Sequence, residues 1–260
     1  MRLNVVSDVH AAVESLSRAA EGADIFACVG DLALYLDYDD PGTGAFAEVF
    51  GESTAREYVA LRTRKRFDEA RMLAARRWEE MTGGAGREER TASILDVVER
   101  QYRDVFAALP TPALLTPGNV DVPAIWPRFL RPGHQVLDGS VAEVGGVRLA
   151  MVGGGLRSAY RTPNEEDEQS HAARVAALGP SDVLLSHIPP AVPELTYDVV
   201  ARRHEVGSKA LVEYIRQYQP RFALFGHVHQ PLAARTRIGR TECVNVGHFR
   251  ATRRPWSVEL

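Results

Sequence analysis

Short apolar runs recur along the chain and alternate with helix-like patterns. "RLNVVS" (2–7), "ADIFACVG" (23–30), "PALLTPGN" (112–119), "DVLLSH" (182–187) and "RFALFGH" (221–227) each read as a buried strand. "VAEVGGVRLAMVGG" (141–154) and "RTRIGRTECVNVG" (235–247) read as hairpins turning at Gly145-Gly146 and Gly239. "AAVESLSRAAEG" (11–22) has a helical pattern ending on glycine. Strands alternating with helices predict an α/β layered fold, and two groups of strands predict two facing sheets.

The stretch 37–108 breaks that rhythm and reads as a helical hairpin inserted into a single domain of residues 1–260. Its first arm is a long helix over 53–81, with Ser53 or Thr54 as the cap. "TGGAGREE" (82–89) interrupts, and a second helix runs over 91–109 up to Pro110.

Composition narrows the class. Hydrophobic residues make up 45% and charged residues 25% of 260, as in ordinary globular chains. The formal net charge of −3 and the lack of a broad basic face argue against a nucleic-acid partner. The two cysteines, Cys28 and Cys243, lie in apolar runs, which argues for a reducing compartment rather than a disulfide framework. No signal-like segment or membrane-length apolar run is seen, so the expected location is cytoplasmic, without a membrane partner.

The chemistry collects at strand ends. Asp8-Val9-His10 closes the first strand, Gly30-Asp31 the second, and Gly118-Asn119-Val120-Asp121 the third. Ser186-His187 and Gly226-His227-Val228-His229 close two more. C-terminal strand edges are where open α/β sheets bind ligands. Strand alternation, with residues two apart on one side, accounts for the D-x-H and H-x-H spacing. Oxygen and nitrogen donors without thiolate suit Mn, Fe, Zn or Co. The set is too large for one ion but sufficient for two if one carboxylate bridges. Two ions roughly 3.5–4 Å apart clamp phosphorus for in-line attack.

Taken in order from residue 8 to 229, D-x-H, G-D, G-N-x-D, a strand-terminal His and G-H-x-H resemble the five motifs of the calcineurin-like metallophosphoesterases. The helical insertion lies outside the resemblance. It implies a four-layer αββα sandwich of two facing mixed sheets. It also implies one divalent ion held by Asp8, His10, Asp31 and His229, and a second held by Asp31, Asn119, His187 and His227, with Asp31 as bridge and manganese favoured. Asp31, Asn119 and His227 would serve catalysis, with a metal-bridging hydroxide attacking phosphorus. "CVNVGH" (243–248) resembles the late strand beside the family's site.

One position departs from the pattern. Many members carry a histidine after the Asn, where this chain has Val120. Losing such a proton donor costs about 10²–10⁴-fold in rate. His204 and His248 are the candidate replacements. Some bacterial and archaeal members similarly lack this histidine and are associated with phosphodiesterase activity, so a small phosphodiester, nucleotides included, is the expected substrate. The alternatives are a phosphomonoesterase or protein phosphatase, or a non-catalytic metal-binding scaffold like the retromer subunit of the family.

Several features have plainer readings. Asp121 reads as an N-cap for the following helix and stays out of the ligand set. The arginines of the insertion (Arg56, Arg62, Arg64, Arg66, Arg71, Arg76, Arg77) could read phosphates, form a homo-oligomer contact, or simply be a solvated face. Ser208 reads as a helix cap or an anion site, "NEEDE" (164–168) as a loop entering a helix, and His134 and His171 as surface residues.

Overall fold

The computed structural model describes residues 1–84 and 86–260. Ala85, inside the expected break at 82–89, lies outside the described residues. The chain divides into two compact units, one of Met1–Leu32 and Val105–Leu260, the other of Ala33–Asp104.

The first unit holds two mixed sheets. β1 (Arg2–Val6), β2 (Ile25–Cys28), β3 (Ala113–Leu115) and β4 (His134–Val136) run parallel. β5 (Ser140–Val144), β6 (Val147–Val152), β7 (Val183–Ser186), β8 (Phe222–Phe225), β9 (Arg235–Ile238) and β10 (Thr241–Asn245) form the second sheet, in order β9-β10-β8-β7-β6-β5. β11 (Trp256–Glu259) returns to pair antiparallel with β1, giving the first sheet the order β11-β1-β2-β3-β4. Both predicted hairpins are present, as β5–β6 and β9–β10.

Alternation explains how the sheets face one another. Leu3 and Val5, Ile25 and Ala27, Leu149 and Met151, Val183 and Leu185, and Phe222 and Leu224 are two apart in their strands and share one buried cluster. The intervening residues cannot face water either, so the strands read as continuous apolar runs. Both cysteines are free and buried.

In the second unit α1 (Ala45–Phe50), α2 (Glu52–Thr63), α3 (Phe67–Thr82) and α4 (Arg87–Ala108, of which the part to Asp104 belongs here) replace the expected hairpin. Phe46 anchors its core, stacked 4.5 Å from Phe50 and 4.1 Å from Tyr58, with Leu73 and Trp78 in the same cluster. The single helix predicted over 53–81 is broken. Lys65 adopts a left-handed φ of 60°, its N–H bonds Arg62 O, and the Arg66 N–H reaches back to Leu61 O. That pair of bonds is the Schellman closure of a helix end. Gly51, not Ser53 or Thr54, occupies the N-cap of α2, without a side-chain cap bond. Most of the arginines are exposed and paired along their own helices, as in Arg56–Glu52, Arg66–Glu69 and Arg71–Asp68. Arg62 differs: it is buried, its guanidinium 5.5 Å from the Tyr58 ring centre.

Helices α5 (Glu168–Ala177) and α6 (Lys209–Tyr218) cover the other face of the second sheet, where Val175, Leu211 and Ile215 join Leu184, Ala223 and Phe225 in a second cluster. Asp167 caps α5, accepting from Ser170 N–H, and Ser208 caps α6, accepting from Leu211 N–H. Ser208 is thus an ordinary cap. The helix expected over 11–22 is only a 3-10 turn at Leu16–Arg18, because Ala11 (φ 59°) and Ser15 (φ 68°) are left-handed and stop helix propagation. The segment still lies against the first sheet: Asn4 Nδ2 of β1 donates to Ala19 O at 2.9 Å.

Three further expectations are corrected. Asp121 is not a helix cap; its Oδ1 accepts from Leu32 N–H at 2.9 Å and its Oδ2 from Gly118 N–H at 2.8 Å, tying two strand-end loops together. His171 is buried, with Nδ1 3.1 Å from Glu166 Oε1, and half-buried His134 lies 3.2 Å from Pro110 O. Among the described residues no helix is long and apolar enough to cross a membrane.

Candidate metal centre

All seven expected ligands follow β1, β2, β3, β7 and β8, at the C-terminal ends of these parallel strands. Strand pleating does not aim them, however. Asp8 (φ 56°), His10 (φ 43°), Asp31 (φ 53°) and His227 (φ 68°) lie beyond their strands in left-handed backbone. Such conformations cost non-glycine residues roughly 1–3 kcal/mol each and cluster at functional sites. The one-residue spacing in D-x-H and H-x-H therefore reflects sharp turns. In the second motif the turn sends the two histidines to different places.

The loops are packed closely enough that two motif glycines cannot carry a side chain. A Cβ on Gly226 would overlap Ser7 Oγ and Asp8 Oδ2, and one on Gly118 would overlap Asp31. With Gly226 in place, the His227 N–H donates to Asp8 Oδ2 at 2.9 Å. Beyond Gly118, the Val120 N–H donates to Asp31 Oδ1 at 3.0 Å. Backbone donors thus fix both carboxylates.

Two groups of donor atoms result. In the first, His10 Nε2 lies 3.9 Å from Asp8 Oδ1, 3.9 Å from Asp31 Oδ2 and 3.3 Å from His229 Nε2, and His229 Nε2 lies 3.4 Å from Asp8 Oδ1. In the second, His187 Nε2 lies 3.4 Å from Asp31 Oδ1 and 2.8 Å from Asn119 Oδ1, and His227 Nδ1 lies 3.0 Å from the same amide oxygen. Asp31 presents one oxygen to each group.

The donors fit divalent cations. With metal–ligand bonds of roughly 2.1 Å, neighbouring ligand atoms are separated by about 3.0–3.4 Å, comparable to the spacings here. Asp8 Oδ1 is buried without a hydrogen-bond partner, a cost that a cation would remove. His187 is held by its other nitrogen, Nδ1, 2.9 Å from Val29 O, which leaves Nε2 turned inward.

Electrostatics point the same way. Burial alone would raise the Asp8 carboxyl, but His229 beside it and the charges of His187 and His10 outweigh that and hold Asp8 well below the usual range. Burial also opposes the ionised form of Asp31, but His187 and His10 lower it. Burial disfavours a charged His187, yet Asp31 raises this imidazole to about 9. His227 is pushed down by burial and by His187. A cation bound among these groups would take the place of the protons that the carboxylates and imidazoles share.

The two candidate proton donors are placed differently. His204 is exposed, with Nδ1 3.1 Å from Thr196 Oγ1 and its ring 5.1 Å from Tyr197. It belongs to neither donor group. His248 stacks on His229 with ring centres 3.9 Å apart, and its Nε2 is buried without a partner. Burial and the His229 charge push it down to about 3, leaving it neutral near pH 7. Its position after β10 is one more strand end, the same sequence signal that marks the others. Thr162 and Glu165, which the sequence did not single out individually, also reach the site: Asn119 Nδ2 donates to Thr162 Oγ1 at 3.0 Å.

No family model and no curated protein matches the chain. Solved structures do. One is matched at a TM-score of 0.60 with 18% identity, over 95% of this chain and 91% of its own. The protein TT1561 of Thermus thermophilus is matched at 0.52 and 16%, over 99% and 98%. A purple acid phosphatase from yellow lupin seeds reaches only 0.43 and 14%, over 95% of this chain and 44% of that one, too distant to argue from. At these identities the likenesses establish the α/β fold of two mixed sheets and leave the activity to be argued from the site.

Proposed function

We propose that this protein is a dinuclear metal-dependent phosphoesterase with a preference for small phosphodiesters, nucleotides among them. The observation that carries the reading is Asp31. Its two oxygens serve two separate donor groups, Oδ2 facing His10 and Oδ1 facing His187. A buried carboxylate shared in this way could hold two cations at once; manganese is the favoured ion, with iron, zinc and cobalt compatible.

Bound as a pair, divalent ions lower the pKa of water and neutralise charge on the phosphoryl group. The residues supply the rest. Asp8, His10 and His229 would hold one ion, and Asn119, His187 and His227 the other. The Val120 N–H and Val29 O fix the directions of Asp31 and His187. The Val120 side chain has no proton to give, so the leaving oxygen would depart without a histidine acid from that position. Esters with a low-pKa leaving group tolerate this best; the diester preference rests on the likeness of this chain to family members that lack the same histidine.

The test is metal content and hydrolysis on one preparation. Two ions per chain and manganese-dependent cleavage of bis-p-nitrophenyl phosphate, faster than of p-nitrophenyl phosphate, are expected. Asp31→Ala should remove at least one ion and reduce turnover by more than about 10²-fold. Two bound ions with no cleavage of either ester would mean a scaffold. No bound ion would remove the centre itself.

A further inference from the structure

The side chain of Asn119 is held by a hydrogen-bonded relay from a loop that supplies none of the seven expected ligands. Its amide faces two ways. Oδ1 meets His187 Nε2 and His227 Nδ1, while Nδ2 donates to Thr162 Oγ1. Thr162 Oγ1 has one proton, which it donates to Glu165 Oε1 at 2.8 Å. Glu165 is fixed in turn by Ser158: its Oε2 accepts from the Ser158 N–H at 2.9 Å and its Oε1 from Ser158 Oγ at 2.6 Å. A carboxylate accepts only, so the direction of the chain is set from Asn119 through Thr162 to Glu165. Flipping the amide would face its oxygen with a hydroxyl whose proton is already committed, and would turn an N–H₂ group toward the two imidazoles.

The backbone of the same loop grips the same residue. The Asn164 N–H donates to Asn119 O at 2.9 Å, and Asn164 Nδ2 donates to Gly118 O at 3.0 Å. Backbone and side chain of Asn119 are therefore both determined by residues 158–165.

We propose that Thr162 and Glu165 are positioning residues that lock Asn119 Oδ1 toward the second cation, so that affinity at that position depends on a loop more than forty residues away from Asn119 in sequence. The inference rests on the metal-centre reading. An amide is a weak neutral ligand, and it binds well only when the oxygen is pre-aimed; outer partners of metal ligands typically contribute about 10–100-fold in affinity.

The experiment titrates Mn(II) calorimetrically into metal-free wild-type protein, Thr162→Val, Thr162→Ser and Glu165→Gln, with ion counts by elemental analysis and thermal melting as a folding check. Wild type is expected to bind two ions. Thr162→Val should bind the first unchanged and the second about 10–100-fold more weakly. Thr162→Ser, which keeps the hydroxyl, should restore wild-type binding. Should Thr162→Val fail to fold, Glu165→Gln decides, with the same selective loss expected. Two unchanged affinities in a folded variant overturn the relay alone. A wild-type chain that binds no Mn(II) overturns the metal-centre reading and the relay with it.

Discussion

The imidazole of His171 sits near the start of α5 and is buried. Its Nδ1 faces Glu166 and its Nε2 is buried without a partner. Glu166 and Asp138 attract a proton there, and Arg174, which pairs with both, repels it. Burial dominates and the pKa lies below the ordinary 6.5. The sign follows. Above about pH 6.5 neither folded nor unfolded chain carries the proton; below it the unfolded chain gains one more readily, so stability falls with pH. Asparagine keeps a donor near the Nδ1 position but does not titrate. The melting temperature of wild type minus that of His171→Asn should therefore shrink as pH falls from 8 through 6.5 toward 5.5. A constant gap would show that burial does not suppress this proton. The position of His171 away from the strand-end motifs placed it at the surface, whereas its partner Glu166 comes from the residues just before α5. The histidines of the candidate site were legible for the opposite reason: each lies within four residues of the end of a largely apolar strand, so the strand itself announces where they end up.

Elements were legible where burial dictates the pattern. β1, β2, β3, β7 and β8 lie between two layers, and their residues are almost all apolar, the exceptions being Arg2 at the exposed start of β1 and buried Asn4 and Ser186. Helices were less so, since a single left-handed residue ends one without altering the apolar spacing. Ala11 and Ser15 dissolve the helix expected after β1, and Lys65 divides the one expected over 53–81. The Lys65 case has a sign that tests it. In a continuous helix Lys65→Gly would cost about 1 kcal/mol. At the C′ position of a Schellman closure, glycine relieves the left-handed strain instead, and the substitution should stabilise the second unit by up to about 1 kcal/mol. Urea unfolding followed by helical circular dichroism reads the difference, and a loss of stability would mean that α2 and α3 are one helix.

For the molecule as a whole, the sequence marked an interruption at 37–108, close to the compact unit of Ala33–Asp104, yet it could not show what the remaining unit spends on its site. Asp8, His10, Asp31, Asn119 and His187 are all buried, and four of the seven donors lie in left-handed backbone. These groups come from loops of both sheets. The two carboxylates face histidines that burial would otherwise keep uncharged. Such an arrangement makes folding sensitive to whatever charge enters the site. A ligand that binds only the folded state adds about 2.7 kcal/mol at a concentration 100 times its dissociation constant. For a unit of this size that corresponds to roughly 5–10 °C in melting temperature. Mn(II) should therefore raise the melting temperature of the chelator-treated protein by at least that amount, the figure for a single ion, and EDTA should reverse it. Asp31→Asn, which keeps the shape but weakens both donor groups at once, should abolish most of the shift, whereas His204→Ala should leave it intact because His204 joins neither group. Equal shifts in wild type and Asp31→Asn would mean that Mn(II) binds elsewhere and that the buried carboxylates are held for some other purpose.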